Sequence, residues 1–255
     1  MHLPSEFADG AAEVLARVRA RTPRVHCITN SVAQQYTANL LLAAGAVPSM
    51  TTSPEEIGAF AAGADALLVN LGTFDAERRA AIDVAIDRAH AAGKPWALDP
   101  VFIEVAPSRA QFARELLTRG PAVVRLNAAE FAALSGDDAA GDGPVRLAKH
   151  HATVVALTGS FDLVTDGTRR AKIANGDPLM RLVTAMGCAG SALVCAALAV
   201  ETDPWLAGTA ALTVLGVAGE VAALEARGPG SFAVAIVDAL YRLDAATLCK
   251  RARVS

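Results

Sequence analysis

At 255 residues, with 53% hydrophobic side chains, 19% charged ones and a formal net charge of −3, the chain has the makeup of a single α/β domain over residues 1–255. A composition so apolar excludes intrinsic disorder, and the lack of a basic surface excludes nucleic acid as the expected partner. The opening MHLPSEFADGAAEVL carries no basic segment ahead of an apolar one, so no secretory signal is expected.

In chain order, short β-type runs alternate with helical stretches. A run at 25–28 leads to a helix at 32–44, one at 47–50 to a helix at 54–62, and one at 66–70 to a helix at 75–92. A run at 96–98 precedes a helix at 108–119, and one at 122–125 precedes helices at 127–134 and 143–151. These runs are nearly continuous in apolar residues, the pattern of parallel strands covered on both faces. Alternation of that kind predicts a doubly wound, mostly parallel central sheet flanked by helices on both faces. Runs at 154–157, 163–166 and 170–173, with Asp166-Gly167 as a turn signal, predict a small antiparallel edge.

Apolar helices follow at 188–201, 205–225 and 231–243. The most membrane-like stretches, 188–200 and 206–219, are shorter than the roughly 20 residues that a span requires. Glu201, Asp203 and Pro204 separate them, so a buried helical hairpin in a soluble, cytoplasmic protein is expected, with no membrane partner.

In such sheets ligands bind beyond the carboxyl ends of the strands. Six consecutive strand ends carry small polar or charged residues: Thr29-Asn30, Thr51-Thr52, Asn70 to Thr73, Asp99-Pro100, Arg125 to Asn127, and Thr158-Gly159. The stretch LVTAMGCAGSAL (182–193) places Cys188 where a polar loop becomes an apolar helix, between Gly187 and Gly190. Free N–H groups and the helix dipole make such a start an anion site, and they would lower the pKa of a thiol there. A buried cysteine in a glycine-aided helix start is the plainer alternative. The four cysteines, Cys27, Cys188, Cys195 and Cys249, form no C-x-x-C pair and no zinc spacing. On one helix, Cys188 and Cys195 would lie roughly 10 Å apart, beyond the disulfide limit of about 7 Å.

Asp99, ending a strand in ALDP, and Glu130, in VRLNAAEF, could face one cleft and hold Mg²⁺ through water with phosphates. Each has a structural alternative, a cap before proline for Asp99 and a capping box begun by Asn127 for Glu130. Arg125 could clamp a phosphate or lie at the surface. Thr158 and Gly159 could meet phosphate oxygens or form a plain turn. Asn30 could bind a small polar ligand, and Met50 could wall an apolar pocket. His26, inside an apolar run, is expected to be a satisfied core residue.

The blocks VHCITNSV, TANLLLAAGAVPSM, EEIGAFAAGADALLVNLGT, GKPWALDPV, RLNAAE, VVALTGSFD and VTAMGC run in one order over about 25–195. With them the chain resembles the hydroxyethylthiazole kinases of the ribokinase-like superfamily. The resemblance implies a ribokinase-like fold and ATP- and Mg²⁺-dependent phosphorylation of the primary hydroxyl of 4-methyl-5-(2-hydroxyethyl)thiazole, for thiamine salvage. It also implies a homotrimer with substrate sites at subunit interfaces.

By the same resemblance, Cys188 stands where related kinases place an aspartate base. Ala185, Met186 and Gly187 form the anion hole, and Met50 and Ala185 line the substrate site. Arg125 and Thr158 match ATP-contacting positions, and Asp99 and Glu130 match magnesium-associated acids. The chain departs from the family in reading Ala185-Met186-Gly187 for glycine-alanine-glycine, and Phe102 to Ala106 for a glycine-rich stretch. Alternatives are a related kinase for a pyrimidine or vitamin-B6 alcohol, a thiazole-binding protein without catalysis, and a thiol hydrolase or acyltransferase built on Cys188 and a histidine.

Overall fold

The computed structural model describes residues 4–255. One eight-stranded sheet runs through it in the order β2-β1-β3-β4-β5-β6-β7-β8. Its parallel part comprises β1 (Arg24–Ile28), β2 (Val47–Ser49), β3 (Ala66–Asn70), β4 (Trp96–Asp99), β5 (Val123–Asn127) and β6 (Val154–Thr158). The antiparallel edge is β7 (Asp162–Thr165) and β8 (Arg170–Ile173). The expected turn joins them, with Gly167 at φ +90° and the Asp166 carboxylate accepting from the N–H groups of Thr168 and Arg169.

Helices cover both faces because the strands are apolar on both. On one face lie α1 (Pro4–Arg21), α2 (Gln34–Ala44), α8 (Met186–Leu198), α9 (Pro204–Ala223), α10 (Pro229–Arg242) and α11 (Ala245–Arg251). On the other lie α3 (Ile57–Gly63), α4 (Ala76–Ala91), α5 (Pro107–Leu117), α6 (Ala128–Ser135) and α7 (Gly143–His151). Strand β3 is buried along its whole length, as its apolar run requires. Helix α9 is long and apolar enough by composition to cross a membrane, yet most of it is buried inside the fold against α1, α8 and α10. The expected hairpin of α8 and α9 is therefore present, and a helix apolar all round is explained by burial all round.

Two helices were not among the expected elements. In α1, Phe7, Ala11, Val14, Leu15 and Val18 are buried at helical spacing. In α11, Leu248 is buried and the Asp244 side chain caps the first turn. Short 3-10 turns at Ile103–Val105 and Pro178–Leu182 were also unforeseen.

The chain runs from β1 outward through α2 to β2, then crosses to the other face through α3 to reach β3 on the far side of β1. Strand order thus reverses between β1 and β3, and a cleft opens beyond their carboxyl ends. His26 lies away from that cleft as a satisfied core residue. Its Nδ1 pairs with the Ser49 hydroxyl at 2.8 Å and its Nε2 with the Thr51 carbonyl at 3.0 Å.

Burial lowers the His26 pKa to about 4 from the usual 6.5, partly offset by the Thr51 carbonyl. The folded chain then binds fewer protons than the unfolded chain between those values, so stability falls as pH falls through 6.5 toward 4. Urea unfolding at pH 7 and pH 5 should show the wild type losing about 2 kcal/mol more than His26→Gln.

Candidate active site

Parallel register sets the site. It places Asn70 beside Asp99 and Asn127 beside Thr158 at the carboxyl ends of neighbouring strands. Asn30 follows β1, two residues beyond its end, and Gly72 follows β3. A Cβ on Gly72 would lie 2.7 Å from the Asn30 Cβ, so only glycine lets these two segments meet.

Asp99 is 2% exposed. Its Oδ2 accepts from Asn70 Nδ2 at 2.7 Å and from Ser191 Oγ at 2.8 Å. Among the described residues no side chain or backbone group donates to Oδ1. Burial pushes the Asp99 carboxyl up, against the pull of Arg125, Ser191 and Asn70.

Glu130 closes the anticipated capping box on α6. Asn127 Oδ1 accepts from the N–H groups of Ala129 and Glu130, and Glu130 Oε2 accepts from the Asn127 N–H at 2.8 Å. Its Oε1 accepts from the Phe102 N–H at 3.1 Å. Burial and then Asp99 raise its pKa, and Arg125 is among the groups that oppose this. The box and a place in the cleft are therefore compatible.

Arg125 is neither a surface residue nor paired. Its guanidinium faces Asp99, Glu130, Asp162 and Cys188 electrostatically. No described residue accepts a hydrogen bond from it, and its buried Nε has no partner. A Cβ on Gly187 would lie 3.1 Å from Arg125 Nη1, which puts the guanidinium against the first turn of α8.

That first turn is open in part. Ala185, the residue before α8, holds φ +72°, a left-handed conformation that costs a residue with a Cβ about 1–2 kcal/mol. Phe102 and Thr73, also beyond strand ends at this edge, share the strain at φ +55° and +50°. Backbone strain of this kind collects at ligand sites. The Met186 N–H donates to the Val183 carbonyl at 3.3 Å, so one donor of the expected anion hole is committed within the loop. Gly187 and Cys188 keep first-turn N–H groups, which have no acceptor within the helix.

Cys188 Sγ accepts from Asn30 Nδ2 at 3.2 Å. Contrary to the sequence expectation of a lowered pKa, burial and then Asp99 push the thiol up to about 11, and the Asn70, Asn30 and Arg125 interactions recover only part. Withdrawal from water outweighs the helix terminus here. No described histidine bonds the thiol, and His26 is already held by Ser49 and Thr51, so no hydrolase constellation is formed among the described residues. All four cysteines are unpaired.

Thr158 ends β6 half-buried, its hydroxyl 3.4 Å from the Leu126 carbonyl. The Gly159 N–H, expected to be open, donates to Asp162 Oδ1 at 3.0 Å. Met50 follows the edge strand β2 and packs half-buried against the core.

Sequence reasoning misses Asp162 and Ser191, and marks Asn70 only as part of a polar strand end, with no role of its own. Ser191 faces the cleft only because it stands three residues after Cys188 on α8, close to one helical turn. Among the described residues no group of three or more His, Cys, Asp or Glu could hold a metal by itself.

The hydroxyethylthiazole kinase family model matches residues 15–246. A probable hydroxyethylthiazole kinase of Agrobacterium fabrum is 46% identical, over 97% of this chain and 95% of that one. The structure is similar to that of a hydroxyethylthiazole kinase protein from Pyrococcus horikoshii, with a TM-score of 0.92 and 40% identity over 96% and 98% of the two chains. Pyridoxal kinase from Staphylococcus aureus shares the fold at a TM-score of 0.63 and 16% identity, over 78% and 88% of the two chains. From its sequence and its architecture alike, the chain belongs to the hydroxyethylthiazole kinase family.

Proposed function

We propose that this chain, acting as one kinase domain, transfers the γ-phosphoryl group of ATP to the primary hydroxyl of 4-methyl-5-(2-hydroxyethyl)thiazole, giving the thiazole phosphate used in thiamine salvage. The observation that carries this reading is the unpartnered Arg125 guanidinium against the open first turn of α8, with Cys188 and Asn30 beside it. A guanidinium in that state lacks an oxyanion, and a phosphate supplies one in bidentate form.

Each residue then has a stated part. Arg125, with the Thr158 hydroxyl, binds the nucleotide phosphates. The N–H groups of Gly187 and Cys188 receive the transferring phosphoryl oxygens at the helix terminus. Asp99 and Glu130 suit Mg²⁺, because both are oxygen donors and no described residue donates to Asp99 Oδ1. Two carboxylates without a third ligand fit an ion completed by phosphate and water. When bound there, the ion neutralises charge on the phosphate oxygens. Asp162 keeps the Gly159 turn closed beside Thr158.

On the acceptor side, Asn30, Met50 and Ala185 line the thiazole site. A thiol with its pKa near 11 is protonated at neutral pH, so Cys188 orients the acceptor hydroxyl rather than taking its proton as a thiolate. Phosphoryl transfer tolerates this, since positioning and charge stabilisation supply most of the rate.

The family resemblance adds a homotrimer with the acceptor site at a subunit boundary. In support, Met50 follows the edge strand β2, where the exposed Val47 and, from α3, the exposed Phe60 line a groove of about 420 Å³ with Arg24, Pro48 and Ser49. The four unpaired cysteines and the need for ATP suit the cytoplasm.

ADP release with Mg²⁺ and the thiazole alcohol tests the reading. Wild-type turnover should require the alcohol, fall ten- to a hundredfold in Cys188→Ala, and persist in Cys188→Asp. Binding of the alcohol without ATP consumption would overturn it in favour of a binding protein.

A further inference from the structure

Beyond the residues already given parts, a series of hydrogen bonds leads from Asp99 to Cys188, and helix α8 carries it back to Asp99 through Ser191. Asn70 Nδ2 donates to Asp99 Oδ2 at 2.7 Å, while Asn70 Oδ1 accepts from the Gly72 N–H at 3.0 Å and from Asn30 Nδ2 at 3.4 Å. Asn30 Nδ2 also donates to Cys188 Sγ at 3.2 Å. Three residues along α8, Ser191 Oγ returns to the same Asp99 oxygen at 2.8 Å.

Neither amide can be reversed. The Gly72 N–H requires an oxygen on Asn70, and Asp99 requires the nitrogen opposite. The Ala33 N–H, 2.9 Å from Asn30 Oδ1, requires that the Asn30 nitrogen face Asn70 and the sulfur. Asn70 is 1% exposed, so each of these bonds forms where an unmade one is costly.

We propose that Asn70 is a positioning residue that couples the two halves of the reaction. On the nucleotide side it shares Asp99 Oδ2 with Ser191 and so turns Oδ1 outward to the cleft. On the acceptor side it holds the Asn30 amide against Cys188, so that the sulfur receives a donor and points its own hydrogen into the cleft. It touches neither substrate; it acts on the nucleotide side through Asp99, and on the thiol both directly and by holding Asn30. The inference rests on the kinase reading for its consequence in turnover, and on geometry alone for its effect on the thiol.

The test uses full-length protein carrying Cys249→Ser, because Cys249 is exposed, whereas Cys27 and Cys195 are wholly buried and Cys188 keeps 9% exposure. Alkylation of Cys188 by iodoacetamide is followed by mass spectrometry in Asn70→Ser, Asn30→Ala, the double variant and Ser191→Ala. A sulfur that loses an N–H donor makes a poorer thiolate, whereas a loosened cleft exposes it. Asn70→Ser and Asn30→Ala should each slow alkylation at least threefold, the double variant should fall well short of the product of the two losses, and Ser191→Ala should leave the rate unchanged.

In turnover, Asn70→Ser should lower kcat at least tenfold with KM for the alcohol within threefold. Alkylation that is unchanged or faster, or losses that add in the double variant, would overturn the proposal. If Asn70→Ser does not fold, Gly72→Ala displaces Asn30 by its Cβ and should slow alkylation to the same degree. A wild type that shows the alkylation pattern but phosphorylates no thiazole alcohol would sink the kinase reading and leave the Asn70 assignment standing.

Discussion

Arg125→Met should lower kcat/KM for ATP by a hundredfold or more. A charge-assisted hydrogen bond contributes about 1.5–3 kcal/mol, and a guanidinium fork makes two at once. Because no described residue accepts a bond from Arg125, the substitution breaks no protein hydrogen bond. The melting temperature of the unliganded chain should therefore move little, while its rise on adding ATP and Mg²⁺ should disappear. Arg125→Lys should restore little, since an ammonium is a point donor and cannot span two phosphate oxygens. Steady-state kinetics and thermal shift on the three proteins separate the outcomes. A variant that keeps its thermal shift with ATP would remove Arg125 from the nucleotide site.

Gly187→Ala should have the second large effect, again on rate more than on stability. The added Cβ would meet Arg125 Nη1 at 3.1 Å, and the end of a long side chain can move aside. Gly187 lies in the first turn of α8 and is not among the glycines at positive φ, so alanine fits the backbone there. Folding should thus be preserved. The cost falls on the opening between the helix terminus and the guanidinium, where the phosphoryl group must pass. Misplacing one preorganised donor costs about 10²–10³ in kcat in comparable sites, and a loss of about a hundredfold is expected. Turnover of the purified variant, with its circular-dichroism melt as control, checks both halves. Unchanged kcat would place the transferring group elsewhere.

Much of the architecture was legible because covered parallel strands leave a plain signal. The residues at 66–69 and 122–124 are apolar on both sides of the chain; β3 is buried throughout, and β5 buries Val123 and Leu126 with Val124. Helix α1 was legible in principle. Its buried positions recur at helical spacing, but alanines and Gly10 dilute the contrast between faces.

The site was legible at single positions and illegible as an arrangement. Asp99 and Thr158 end their strands, Asn30 follows one, and Arg125 closes its apolar run although β5 continues two residues further; at each, position alone points to a ligand. Ser191 lies 92 residues from the carboxylate it supports, and only the packing of α8 across the sheet joins them. The thiol of Cys188 misled in a different way. Its place at a helix start argues for a low pKa, but burial and a neighbouring carboxylate act on the same sulfur and prevail. No local pattern records how much water a tertiary structure removes. Glu130 shows that two readings can both hold, since its capping box is what fixes a carboxylate beside Phe102 at the mouth of the cleft.

The most direct test of the account is phosphorus NMR of the products formed from ATP, Mg²⁺ and a mixture of primary alcohols, the thiazole alcohol beside pyridoxal-type and pyrimidine-type ones. One new phosphomonoester is expected, on the thiazole alcohol, appearing in step with ADP. Phosphate released from ATP whether or not the thiazole alcohol is present, or a phosphomonoester on another alcohol in its place, would contradict it.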